Sequence, residues 1–330
     1  MKAFKTLDEK VFGYKVSEEA LSLSRRFGYA SYIVERYLRL LGMEETEELL
    51  KVNERPMPKS YRCNDFLIAC DEVEKRLKEK EFLVSKIPFL PHGYEVVFSP
   101  YSLGATHEYM MGYYYIQDPG SMLVAYLLDP RKYTTIVDMA AAPGGKATQI
   151  LQLTEDSSRL IAVEYKRKRI KALRSNLQRM GFSNYLILRH DARKLKIKEA
   201  DKILLDSPSS GEGIIRKDPG RKARYTRDDL KKIHTIQYEL LNKAFDLVKK
   251  GGEVLYAACS TAIEEGEYVI HKVLERRKDV EVLHVTSPIG DKAFVEYNGV
   301  EFNVEVSKCI RLWPHKHWTE GFFICKMRRI

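Results

Sequence analysis

The sequence is poor in cysteine. Its five cysteines are Cys63, Cys70, Cys259, Cys309 and Cys325; none forms a CxxC pair, and no histidine lies at zinc-finger spacing from one. Thiols so few and so scattered argue against a disulfide framework and against a structural metal site, so we expect no bound metal. The composition fits a reducing compartment instead, and a cytoplasmic location is expected.

Long apolar runs and an apolar leader are also missing. No run approaches the roughly 20 residues that a membrane helix needs. The start of the chain, MKAFKTLDEK, is charged and lacks the apolar core of a secretory signal. We therefore expect a soluble intracellular protein, monomeric and without a membrane partner.

The chain is long and carries a net positive charge. The chain has 330 residues, of which 44% are hydrophobic, enough to fill the cores of two domains. Its net charge of +10 suits a polyanionic partner such as nucleic acid, although a basic surface also serves solubility. Charged residues make up 31% of the chain and are rich in Lys and Glu, which fits a heat-adapted source.

The first third of the chain predicts helices followed by a small mixed module. Apolar residues at helical spacing predict a helix over Glu18–Leu50 that breaks at Gly42. The segments that follow are a strand near Tyr61–Asn64, a charged helix at Cys70–Lys80, and extended chain at Val84–Ile87 and Glu95–Phe98. This order predicts an α+β module.

After about Gly104, apolar runs alternate with helical stretches. The predicted strands are Thr135–Met139, Leu160–Glu164, Tyr185–Leu188, Ala200–Leu205 and Glu253–Ala257, with later strands at Val304–Val306 and Phe322–Lys326. The predicted helices are Thr148–Leu153, Lys168–Met180 and Arg227–Lys249. Such alternation predicts an α/β fold with a parallel, doubly wound sheet.

The turn after the first of these strands indicates a nucleoside site. Small residues and paired glycines at Met139–Lys146 let backbone N–H groups approach a ligand at a helix N-terminus. The pattern is neither GxGxxG nor a Walker A run. Glu164 and Asp191 end the next two strands, where they suit the ribose hydroxyls and the adenine amino group. Solvated acids at strand ends are the plainer alternative.

Two further strand ends carry residues suited to chemistry. Asp206 opens the small-residue turn after the fourth strand, and Cys259 follows the fifth. A thiol there can act as a nucleophile if nearby cations lower its pKa. A buried Cys that serves only as a small apolar residue is the alternative.

These residues resemble the RNA cytosine-5 methyltransferases of the Nol/Nop/Sun (RsmB-like) group. The resemblance rests on Phe27–Tyr29, Ile33–Arg36, Arg62–Asn64, Tyr115–Met122, Ala141–Lys146, Gln237, Arg311–His317 and Gly321–Phe323. It implies a Rossmann-like class I methyltransferase domain at 106–330, dependent on S-adenosylmethionine (SAM). A helical and RRM-like RNA-binding module at 1–105 and an archaeal source are expected with it.

The resemblance also implies a chemical route. Cys259 adds to carbon 6 of cytosine in transfer or ribosomal RNA, Asp206 holds the N3/N4 edge of the base, and carbon 5 accepts the methyl group. The implied SAM-binding residues are Ala141, Ala142, Pro143, Gly144, Gly145, Lys146, Glu164, Arg169, Asp191 and Asp206.

The chain departs from the family pattern beside these residues. Ser209 stands where the family has a second cysteine that assists release of the product, and Ser207 stands where alanine is usual. Ala257 and Ala258 replace Ser-Thr, and Glu320 replaces Asp. Ser209 is therefore an engineered change, a natural variant that leaves release to another group, or a mark of lost turnover.

A basic run follows the Asp206 turn. Arg216, Lys217, Arg221, Lys222 and Arg224 are expected to bind phosphates at the entrance of the site, a solvated loop being the alternative. Two other functions stay open. An exocyclic-amine methyltransferase would need an aromatic in the Asp206 motif, and an RNA-binding scaffold with a decayed site would need no SAM.

Overall fold

The computed structural model describes residues 2–197 and 199–330, with the side chains of residues 2–6 set aside. Eleven helices are assigned: α1 Lys2–Phe12, α2 Glu18–Phe27, α3 Ser31–Asn53, α4 Cys70–Glu79, α5 His107–Met110, α6 Pro119–Leu128, α7 Gly145–Leu153, α8 Arg167–Arg179, α9 Arg227–Leu247, α10 Glu267–Arg276 and α11 Pro314–His317. Within this part of the chain, none is long and apolar enough to cross a membrane.

Fifteen strands are assigned in the same residues. They are β1 Lys59–Cys63, β2 Leu83–Lys86, β3 Gly93–Phe98, β4 Tyr114–Ile116, β5 Thr135–Asp138, β6 Arg159–Val163, β7 Tyr185–Leu188, β8 Ala200–Ser207, β9 Val248–Ala258, β10 Val280–Leu283, β11 Asp291–Lys292, β12 Glu296–Tyr297, β13 Val300–Glu301, β14 Ile310–Leu312 and β15 Phe322–Arg329.

The predicted N-terminal helix is two helices and a kink. Ser17 caps α2 by accepting from the amide of Ala20, and Gly28 ends it in the left-handed conformation with φ 74°. Gly42, with φ 76°, interrupts α3 as predicted. The buried faces of both helices join the apolar core that contains Phe245 of α9. These helices are therefore packed on the larger half of the protein.

The small module is a four-stranded antiparallel sheet in the order β2-β3-β1-β4. One face packs on α4, where Tyr61, Tyr94 and Tyr114 surround Val73 and Leu77. The opposite face turns toward the larger half. The last strand, β4, lies beyond residue 105, so this sheet continues past the boundary predicted from the sequence.

The large sheet is only partly parallel, which corrects the prediction. Its order is β11-β14-β15-β9-β8-β5-β6-β7, with β10 paired to β15. The strands from β7 to β9 are parallel, but β15 runs antiparallel to β9, with Phe323 opposite Ala258. Because of that register, the chain just before β15 lies beside the residue that follows β9, which is Cys259.

Two further predictions are wrong. Val304–Lys308 is a 3-10 helix and not a strand, because Asn303 caps it by accepting from the amide of Glu305 at 3.0 Å. The cysteines were expected to form no disulfide framework, but disulfides join Cys63 to Cys70 and Cys309 to Cys325. The first closes the turn between β1 and α4, and the second links residues that face each other across β14 and β15.

Candidate active site

The glycine turn after β5 places backbone groups at the start of α7. Gly144, with φ 111°, adopts a conformation that favours glycine and lets α7 begin at once. A Cβ on Gly145 would lie 3.2 Å from the ring of Tyr115, so the turn and β4 are in close contact. Asn176 holds the turn from outside by donating to the carbonyl of Pro143 at 2.9 Å.

A cavity of about 320 Å³ lies beside this turn. Glu164 and Asp191 line it together, as their strand-end positions predict, and Ile236 and Leu240 supply apolar wall. Glu164 accepts from the amide of Lys166 at 2.7 Å. Hydrogen bonds from Arg193 lower the pKa of Asp191. Both acids are therefore oriented by short local contacts.

A second cavity, of about 430 Å³, opens from the same turn. Ala140 and Arg169 line both cavities, so the two are adjacent. Arg169 pairs with Glu164 at 3.1 Å and donates to the carbonyl of Ala142. The second cavity holds Asp138, Lys146, Asp206, Lys217, Cys259 and Glu320.

Lys146 and Asp206 form an ion pair inside the second cavity. The ammonium of Lys146 lies 2.8 Å from Asp206 Oδ2 and donates to Ser121 Oγ at 2.9 Å. Burial alone would lower the pKa of Lys146, but Asp206 raises it above its usual value. Lys146 therefore stays charged and presents a cation to the cavity.

The thiol of Cys259 points at a carboxylate. Its Sγ donates to Glu320 Oε2 at 3.7 Å, and Glu320 also pairs with Lys217. Burial raises the pKa of Cys259 well above its usual value, and the charges of Glu320 and Asp206 raise it further. The condition set for nucleophilic attack, a thiol pKa lowered by nearby cations, is not met in this structure, because burial and the carboxylates outweigh Lys146. The role of Cys259 as a nucleophile stays a prediction.

Ser209 does not line the cavity. Its hydroxyl donates to the backbone carbonyl of Cys259 at 3.4 Å, whereas Glu320 contacts the thiol of that residue. A catalytic role for Ser209 stays a prediction. The serine lies close enough to influence the Cys259 backbone, but the acidic neighbour of the thiol is Glu320.

Two more carboxyl groups lie in the cavity wall. Burial and the charge of Asp206 raise the pKa of Asp138 to about 7. Burial and the charge of Glu320 raise that of Asp118 to about 7. Asp118 begins α6 by accepting from the amide of Gly120 at 2.8 Å, and it also accepts from the amide of Glu320 at 3.2 Å.

Buried polar contacts fix the loops that carry these residues. Arg36 of α3 pairs with Glu212, which lies in the loop after Asp206. It also pairs with Glu264, and its Nη1 lies 3.1 Å from Glu264 Oε2. Glu265 accepts from the amide of Ser210 at 2.8 Å and from Gln237 at 3.0 Å. Through Arg36, helix α3 thereby contacts the loops that follow Asp206 and Cys259.

The predicted basic run divides into two groups. Arg216 and Lys217 line a cavity, although Arg216 donates to the carbonyls of Arg55 and Pro56 and Lys217 pairs with Glu320. The other three residues do not line it and also have partners within the protein. Arg221 donates to the carbonyl of Ser210 at 2.5 Å, Lys222 pairs with Glu54 at 2.5 Å, and Arg224 pairs with Asp218 at 2.8 Å. Phosphate binding by these three stays a prediction.

Several residues of the cavity escaped the sequence reasoning. Asp118, Ser121, Glu320 and Phe322 were not among the predicted site residues, yet all line it. The Asp-Pro-Gly start of α6 is a recognisable helix N-terminus and could have located Asp118. The sequence marks Glu320 only as a departure from the family's Asp, and its contact with Cys259 depends on the pairing of β15 with β9.

The family comparisons cover nearly the whole chain. Residues 125–328 match the family described as 16S rRNA methyltransferase RsmB/F. Residues 30–119 match the N-terminal domain of 16S rRNA methyltransferase RsmF. The two matches meet between the small sheet and the large one.

Comparisons with individual proteins and solved structures agree with the family matches. The 25S rRNA (cytosine-C(5))-methyltransferase nop2 of Schizosaccharomyces pombe is 31% identical over 92% of this chain, which covers 51% of that protein. The chain thus spans about half the length of this curated relative. A crystal structure of a methyltransferase homologue from Pyrococcus horikoshii is 34% identical, with TM-score 0.85 over 96% of this chain and 100% of that one. NSun6 from Pyrococcus horikoshii, solved with SFG, is 25% identical, with TM-score 0.79 over 90% of this chain and 97% of that one.

Proposed function

The chain belongs to the RsmB/F family of RNA methyltransferases, and we propose that it methylates carbon 5 of cytosine in RNA. Its fold is that of class I SAM-dependent methyltransferases with an added N-terminal domain. The observation that carries the proposal is the arrangement of Lys146, Asp206, Cys259 and Glu320 in one cavity. Ribosomal RNA is the substrate class we favour, because the matched relatives are named for it.

The two adjacent cavities fit SAM. In the smaller one, Glu164 suits the ribose hydroxyls and Asp191 suits the adenine amino group. Of the residues from Ala141 to Lys146, all but Gly144 line the larger cavity, beside the amino end of α7. Bound there, SAM supplies the methyl group as an electrophile attached to a positively charged sulfur. Asp138 lines the larger cavity, where burial and Asp206 raise its pKa to about 7, so a cation bound beside it would favour its ionised form.

Cytosine fits against the Lys146–Asp206 pair in the larger cavity. Asp206 accepts from the exocyclic amine of the base, while Lys146, held charged, stabilises electron density that moves onto the ring during attack. Phe322 lines the same cavity and offers an aromatic face. These contacts orient carbon 6 toward Cys259.

Glu320 activates Cys259 in this proposal. Because the thiol is protonated near neutral pH, it must lose its proton before it can attack. Glu320 Oε2 is the hydrogen-bonded acceptor of that proton. The bond between Sγ and carbon 6 then forms, and the electron pair of the 5,6 double bond moves to carbon 5. Carbon 5 would then take up the methyl group, with the broken sulfur–methyl bond leaving its electron pair on the cofactor sulfur.

Release requires the same carboxylate a second time. Glu320 first loses its proton to solvent through the open cavity that it lines with its ion-pair partner Lys217, whose side chain is 45% exposed. The Glu320 carboxylate then removes the proton from carbon 5, the Sγ–carbon 6 bond breaks, and the 5,6 double bond is restored. This assigns to Glu320 the step for which the family is expected to use the cysteine that Ser209 replaces.

The N-terminal region is proposed to hold the RNA around the target base. Its strand–helix–strand–strand–helix–strand order and the β2-β3-β1-β4 sheet support the RRM-like description and an RNA-binding role. We keep as proposals the division into residues 1–105 and 106–330, a monomeric state, a cytoplasmic location and an archaeal source. The last is supported by the two neighbours from Pyrococcus horikoshii.

The test is methyl transfer from labelled SAM to unmodified ribosomal RNA, with the product nucleoside identified by mass spectrometry. We expect 5-methylcytidine from the natural chain and none from Cys259→Ala, which should still bind SAM in calorimetry. An N4-methylated product would favour the exocyclic-amine alternative, and an absence of SAM binding would favour the scaffold. Bisulfite mapping of cellular RNA with and without the gene would identify the cytosine.

A further inference from the structure

A groove leads from the catalytic cavity along the junction between the small sheet and the larger half. Its middle is a cavity of about 300 Å³ that shares Ile116, Gln117, Asp118 and Lys217 with the catalytic cavity. Its outer part is a cavity of about 340 Å³ that shares Pro58 and Ser60 with the middle one. The three cavities therefore form one path from Cys259 to the surface.

The middle of the groove has the chemistry of an anion site. Arg216 is 8% exposed and lines this cavity. It donates to the carbonyls of Arg55 and Pro56, yet its buried Nη1 has no hydrogen-bond partner in the structure. An unpaired guanidinium N–H in a buried position is costly unless a ligand completes it. Lys59 and Lys217 line the same cavity and add positive charge.

The outer part of the groove has the chemistry of a stacking site. Trp318, directly after α11, is 60% exposed. It lines the cavity with Phe89 and three prolines, Pro58, Pro88 and Pro119, while Lys86 stands at the edge. The sheet contributes Ser60 and Glu95 from the face that α4 leaves uncovered. An exposed indole beside apolar walls offers a flat surface on which a nucleobase can stack.

We infer that this groove binds the single-stranded RNA next to the target cytosine, with a phosphate on Arg216 and a neighbouring base on Trp318. The inference rests on the proposed function and extends it. Charge and continuity select the occupant: a strand whose cytosine is in the catalytic cavity must leave it, and this path offers cations followed by an aromatic surface. Such a groove would bind single-stranded RNA in or next to a loop or bulge, and it would not bind double-stranded RNA.

The two tryptophans of the chain make the stacking contact directly measurable. Trp313 is 1% exposed, whereas Trp318 is open to solvent. Titration with a single-stranded oligocytidylate should quench the emission of Trp318 and leave a residual signal from Trp313. Cytidine 5′-monophosphate, which is too short to span the groove from Cys259, should cause no such quenching by itself at matched occupancy.

The variant that tests the inference is Trp318→Gly. Trp318 has φ 54°, so glycine keeps the backbone conformation while the ring is removed. We expect roughly 5- to 100-fold weaker binding of the oligocytidylate, and a raised KM for ribosomal RNA with little change in kcat. Affinity for SAM should be unchanged.

The matched control is Tyr133→Gly. Tyr133 is also an exposed aromatic in the left-handed region, with φ 61° and 82% exposure, but it lies in the loop before β5 and outside the groove. Its loss should leave RNA binding unchanged. Equal RNA affinity of Trp318→Gly and the natural chain, or binding without quenching, would overturn the inference.

The outcome of these experiments can be distinguished from a failure of the proposed function. If the natural chain makes no 5-methylcytidine in ribosomal RNA, the function is wrong before any variant is compared. If it does, and Trp318→Gly behaves as the natural chain does, only the groove assignment is wrong. Lys59→Glu provides an independent check, because it should weaken binding of the oligocytidylate and reduce its salt dependence.

Discussion

The thiol of Cys259 donates to the carboxylate of Glu320 across 3.7 Å, at the point where β9 ends beside the start of β15. The contact joins a nucleophile to an acidic residue 61 positions later in the chain. Two consequences follow from it. The negative charge raises the pKa of the thiol, and the same group is placed to receive its proton.

Glu320→Gln separates these two effects. The amide removes the negative charge, so the pKa of Cys259 should fall and iodoacetamide should alkylate it faster at a given pH. Methyl transfer should fall on the order of 100-fold or more, because the base is gone. Glu320→Asp, which restores the residue expected from the family, should retain most activity. Full activity of Glu320→Gln would exclude Glu320 as the base.

Ser209→Cys tests whether release of the product depends on the missing cysteine. Because Glu320 is proposed to remove the carbon 5 proton, we expect turnover that is unchanged or faster, measured as multiple-turnover methylation. The amount of covalent RNA adduct on denaturing gels should not rise. A large loss of activity would show that the Ser209 hydroxyl has a role of its own at the Cys259 carbonyl.

Asp138 should make the stability of the protein depend on pH. Burial raises its pKa in the folded state from 3.8 to about 7, so between these values the folded state holds a proton that the unfolded state has lost. Stability therefore falls as pH rises through this window, by at most about 4 kcal/mol.

Asp138→Asn should remove that dependence while its amide oxygen still accepts from Ala140. Urea unfolding without SAM, measured at about pH 4.5 and about pH 8, should show the variant gaining stability over the natural chain at the higher value. A constant difference across this range would contradict the assignment.

Arg36 should be essential to the fold because two buried carboxylates depend on it. Arg36→Met leaves Glu212 and Glu264 without their cation, so we expect the free energy of unfolding to fall by about 3–5 kcal/mol. Adding Glu212→Gln and Glu264→Gln should recover part of the loss.

Lys51→Met is the control for that experiment, since it removes another cation of α3. Lys51 is 51% exposed and pairs with Glu47 one turn away, so its loss should cost less than about 1 kcal/mol. Similar losses for Arg36→Met and Lys51→Met would show that the buried triad contributes little.

Local pattern was sufficient for much of the fold. Apolar runs and helical spacing placed the five parallel strands, from β5 through β9, and the helices α7, α8 and α9 within a few residues. The break at Gly42 was also predicted, because only a local backbone preference is involved. Helix α10 was missed, and so were the short strands β10 and β14, both of which pair with β15.

The sequence by itself determined the acids at the strand ends, the glycine turn and Cys259, since parallel strands bring such residues to one edge whatever their separation. The tertiary structure decided what surrounds them. An antiparallel β15 brings Glu320 to Cys259, folding pairs Arg221, Lys222 and Arg224 internally, and two pairs of cysteines meet in disulfides. These contacts depend on strand direction and packing across long stretches of chain, for which spacing along the sequence carries no signal.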